Sequence, residues 1–135
     1  MHCLGRVAGL ILLLGGAGQI ASAQEPVIDP ASPYRLAEGM AEEPATCENL
    51  AYWLDRAPDY DGRISMTVVG PLRESHWDGA LAYLIMCEPG GAQVMCVTYA
   101  PREVDPNKSV LLAGGYQRID KDKVMLDPCL ARDKD

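Results

Sequence analysis

Side-chain chemistry in this chain has one imidazole to work with. Of two histidines, His2 lies in a leader-like stretch, which leaves His76 as the base for any Ser-His-Asp or Cys-His scheme. Glu74, His76 and Asp78 alternate, and an extended backbone would offer them together as three ligands for a divalent cation. Trp77 lies between them, and three such groups in a solvated loop are common without a metal, so neither a metal site nor a cofactor is expected. Carboxylates are scattered over every loop, so no pair can be singled out for glycoside hydrolysis. The remaining candidates are binding groups: Arg73, His76 and Trp77 in one segment, Tyr116 and Arg118 in another, with Tyr83 and Tyr99 between. Arginine and aromatic side chains together make stacking or anchoring surfaces.

Cysteine chemistry depends on the compartment. Arg6, the apolar run Leu10-Ile11-Leu12-Leu13-Leu14 and the small residues Ala21-Ser22-Ala23 have the three-part pattern of a secretory signal, with cleavage expected after Ala23. No later stretch is apolar for long enough to cross a bilayer, so the mature chain is expected to be periplasmic or secreted. It would keep Cys47, Cys87, Cys96 and Cys129, an even set without C-x-x-C spacing, which points to two structural disulfides. Three pairings are open. Only Arg6 of twelve Lys and Arg leaves with the signal while all nineteen Asp and Glu remain, taking the net charge from −7 to −8. That balance, without a Lys/Arg run, argues against nucleic-acid partners.

The elements that must position these residues follow in order. Residues 24–44 are interrupted by Pro26, Pro30, Pro33 and Pro44 and read as a flexible tether. Residues 45–135 read as one small domain. Cys47, Leu50, Ala51 and Leu54 at i, i+3, i+4 and i+7 predict a helix over 45–56, with Thr46 as N-cap. Five strands follow: 64–69, 81–87, 93–99, 110–113 and 124–126, the first four each followed by a turn signal. The second is apolar almost throughout, which points to cover on both faces. Residues 71–79 and 116–123 read as loops. Five strands at this spacing in a small exported chain predict a mainly β fold, a five-stranded barrel of the OB type stapled by disulfides, since an open sheet would leave edges exposed.

The runs Thr67-Val68-Val69-Gly70, Met95-Cys96-Val97-Thr98-Tyr99, Val110 to Gly115 and Val124 to Leu130 resemble the anticodon-binding-like OB-fold proteins of the bacterial envelope. Pro128 before Cys129 and the extra pair Cys47 and Cys87 depart from that pattern. The resemblance implies a fold and an envelope location, and it carries over no catalytic residue. In an OB barrel the third strand lies beside the fifth, which favours Cys96–Cys129 and, by elimination, Cys47–Cys87. Such barrels bind across strands 2 and 3 between two loops, which places Arg73, His76, Trp77, Tyr83, Tyr99, Tyr116 and Arg118 in one ligand surface. The expectation is a non-catalytic binding module for an envelope protein or a glycan or peptide ligand. A small secreted enzyme inhibitor is the competing reading, and a hydrolase or metal protein using His76 is the third.

Overall fold

The computed structural model describes residues 9, 11–12, 14–18 and 25–134; the expected cleavage after Ala23 lies outside the described residues. Eight strands form one mixed sheet: β1 (Tyr34–Leu36), β2 (Ala45–Thr46), β3 (Ile64–Gly70), β4 (Leu72–Trp77), β5 (Ala82–Met86), β6 (Gln93–Thr98), β7 (Val110–Asp120) and β8 (Lys123–Asp133). The ladder order is β1-β3-β7-β8-β6-β5-β4, with β2 parallel to β3. The expected five-stranded barrel is therefore corrected to an open eight-stranded sheet, because among the described residues β4 at one end pairs only with β5 and no ladder joins it to the other end. β3 and β4 nonetheless run into each other through Pro71. The sheet must curl so that distant positions in the ladder order meet on one continuous piece of chain.

The concave face holds the core. Met66, Val68, Leu84, Met86, Val94, Cys96, Leu112, Val124 and Leu126 project into it and are buried, as strict alternation on a half-buried strand requires. β3 is buried on both sides. Its outward Ser65 and Thr67 are covered by the segment after β1: Ser65 Oγ donates to the Gly39 carbonyl at 2.6 Å, and the Ala41 amide donates to Thr67 Oγ1 at 2.9 Å. These two bonds satisfy hydroxyls that would otherwise be buried without partners.

Within the stretch expected to be a tether, β1 and the segment after it are bound to the sheet. Tyr34 is opposite Met66 in the β1–β3 ladder and only 1 % exposed. Its hydroxyl donates to the Trp53 carbonyl at 2.6 Å, and its ring meets Tyr116 edge-on at 5.4 Å. The expected helix also shrinks, to α1 (Leu50–Leu54). Ala45 and Thr46 pair with β3 instead, and the N-cap is Asn49, whose side chain accepts the Thr46 amide at 2.7 Å. Leu50 and Leu54 seal the core, whereas Ala51 is exposed.

Both favoured disulfides are present, Cys47–Cys87 and Cys96–Cys129. β6 and β8 run parallel with Cys96 beside Leu126, so Cys129 is within reach three residues on. The pairs suit an oxidising compartment. Among the described residues, no helix is long and apolar enough to cross a membrane.

Burial raises the pKa of the Tyr34 phenol, and that of Tyr116, above the ordinary value. A phenol that holds its proton more tightly folded than unfolded stabilises the fold fully below about pH 10, and that contribution is lost as pH rises further. Alkaline titration should therefore show Tyr34 and Tyr116 ionising only as circular dichroism reports unfolding. Ionisation of Tyr34 and Tyr116 near pH 10 with the sheet intact would contradict this.

Candidate functional site

The stretch expected to project as a loop, 71–79, is instead β4. Beyond an irregularity at Arg73, the register pairs Glu74 with Ile85, Ser75 with Leu84, His76 with Tyr83 and Trp77 with Ala82. Glu74 and His76 therefore face outward with Ile85 and Tyr83, while Trp77 falls on the side of the buried Ala82 and Leu84. His76 and Trp77 do not share a surface. Trp77 remains 49 % exposed because it ends the strand. Arg73 turns to Glu88, with Nη1 to Oε1 at 2.6 Å.

Continuing the ladder, Tyr83 is beside Val97, Ile85 beside Met95, and Met95 beside Met125. The outward face of β4-β5-β6-β8 therefore carries one row Glu74–Ile85–Met95–Met125 and a second row His76–Tyr83–Val97. Ile85, Met95 and Met125 are each half-buried. Next to Met95, a hollow of about 320 Å3 is closed by Ile119 and Lys123. The sequence signal for this row was the unbroken apolar run of β5. Its outward members gain no second layer among the described residues.

Asp78 orders the end of the second row. Its carboxylate accepts the Leu81 amide at 2.7 Å, the Ala80 amide at 2.8 Å and the Tyr83 hydroxyl at 3.0 Å. Those amides, the Leu81 bond first, hold its carboxyl below the usual range, and the same contact to Asp78 raises the Tyr83 phenol. Gly79, at φ +99°, permits the turn. Tyr83 is consequently a fixed ring that needs no ordering on contact.

The other named residues lie elsewhere. Tyr116 packs against Tyr34, and its buried hydroxyl has no hydrogen-bond partner among the described residues. Arg118 is engaged by the fold: its guanidinium donates to the carbonyls of Leu54 at 3.1 Å and Lys121 at 2.6 Å, joining the end of α1 to the β7–β8 turn. Tyr99 is 76 % exposed and borders a second cleft, described below. His76 Nε2 lies 3.6 Å from Glu74, with both side chains exposed. Among the described residues, no three His, Cys, Asp or Glu side chains are grouped to hold a metal.

No protein-family model matches this chain, and no curated protein matches it.

Proposed function

We propose that this protein is an exported, non-catalytic binding module that takes a protein partner on the outward face of β4-β5-β6-β8. The observation that carries the reading is the row Ile85–Met95–Met125, apolar, half-exposed and facing solvent beside a tyrosine fixed by its neighbour. Exposed apolar rows with a rigid aromatic suit a protein surface, because desolvation of such groups drives association and a preordered ring loses little entropy. The leader and the two disulfides support export.

The test is quantitative crosslinking of the full chain in the exported fraction, comparing the native protein with Ile85→Asp/Met95→Asp. Val104→Asp, exposed between β6 and β7 and outside both surfaces, serves as control. The outward-face variant should lose its crosslinked partner while the control keeps it. Partner recovery equal in all three would end the reading, as would a partner that turned over a bond when added as substrate.

A further inference from the structure

The other half of the convex surface carries a different feature. A cleft of about 270 Å3 opens over β3, β7 and β8 beneath the segment after β1. Met40, Tyr99 and Leu130 border it with exposed apolar surface. Gly114 and Gly115 line it without side chains, and this is forced by the backbone. A Cβ on Gly115 would meet the Asp127 carbonyl at 2.6 Å, so no larger residue can fill the space.

The charged side chains lining this cleft are one basic and one acidic, Arg63 and Glu38. Arg63 lies across Gly115, 3.8 Å from where a Cβ would stand. Among the described residues its one ion pair is with Glu38, at 3.4 Å, with the side chains 62 % and 74 % exposed. Such a pair contributes little and yields readily to a better acceptor. The guanidinium fork suits a carboxylate, which it binds through two parallel N–H donors.

We propose that this cleft binds the C-terminal residue of a peptide whose last side chain is large and apolar, with its carboxylate displacing Glu38 from Arg63. The volume falls just under the roughly 300–1,000 Å3 of enclosed small-molecule sites, so it admits one side chain and leaves the preceding peptide outside. A free small acid would bury too little of itself here, whereas a peptide adds contacts with exposed Tyr99 and Leu130. The site is separate from the outward face of β4-β5-β6-β8 and stands whether or not that face binds a protein.

The experiment is a calorimetric and NMR titration of the full chain with an N-acetylated tripeptide ending in phenylalanine. Its C-terminal amide and N-acetylphenylalanine are titrated in parallel. The free-acid peptide should bind and shift the amides of Gly114, Gly115 and Leu130. The amide should bind about tenfold more weakly, the expected loss when a charged hydrogen bond is removed. Arg63→Gln should weaken the acid to the level of the amide with an unchanged melting temperature. Glu38→Gln should tighten it, an outcome no merely structural role for the pair produces. The proposal is overturned by equal binding of acid and amide, by N-acetylphenylalanine binding as tightly as the peptide, by shifts confined to Tyr83, Ile85 and Met95, or by no binding.

Discussion

Replacing Cys96 and Cys129 together by alanine should lower the stability of the folded chain by about 3–4 kcal/mol, the loop-entropy value for the 33-residue separation they close. A domain of this size has a total margin on the order of 5–15 kcal/mol, so the variant should sit near the edge of folding at growth temperature. Both sulfurs are inside the core, Cys96 at 0 % and Cys129 at 4 % exposed, so lost packing adds to the lost constraint. Cys47–Cys87 closes a similar separation of 40 residues, but it ties the segment before α1 to the end of β5, so its loss should loosen that corner first. Urea denaturation of the two double variants checks both statements. A Cys96/Cys129 variant within about 1 kcal/mol of the native protein would show that the β6–β8 ladder holds without its staple.

Gly114→Ala should be nearly as damaging, about 3 kcal/mol or more, although it adds one methyl group. Gly114 is paired on both sides, with Met66 and with Cys129. A Cβ there would stand 2.3 Å from the Pro128 carbonyl and 2.9 Å from the Cys129 Cα. Both obstacles are backbone, and the strand that would have to move is tied to β6 by a disulfide. Gly91→Ala provides the contrast, since its nearest neighbour is 3.9 Å away, and it should lie within about 0.5 kcal/mol of the native protein. Equal melting temperatures for the two variants would mean that β7 and β8 separate more easily than their register implies.

The strands that burial dictates were legible in the chain. Ile64, Met66 and Val68 alternate, and β5 and β6 are apolar runs on either side of Glu88-Pro89-Gly90-Gly91, so their existence follows from side-chain pattern alone. What the pattern did not show is strand held by pairing. Leu72 to Trp77 and Tyr116 to Asp120 are polar and mostly exposed, extended because a neighbouring strand takes their hydrogen bonds. The two-residue turn Lys121-Asp122 was the available sign of the second case. β1 is three residues in a proline-rich stretch, legible only through Tyr34, whose burial depends on Met66 far along the chain.

The same gap explains the site. Tyr83 and His76 fall together because their strands pair directly, whereas His76 and Trp77, adjacent in sequence, are separated by the pleat. Arg118 is held by the carbonyl of Leu54, 64 residues away, which no local pattern announces.

The position of β8 sets a condition on how the sheet assembles. It lies in the interior of the ladder, between β7 and β6, and carries Cys129, so the strands that precede it cannot join into one sheet without it. Without β8, β6 lacks a partner on one side and Cys96 is a lone thiol. Long-range pairing of this kind forms slowly compared with local helices. The two halves, β1-β3-β7 and β6-β5-β4, therefore become one sheet only through β8, which acts as a keystone that the bond from Cys96 to Cys129 fastens in place.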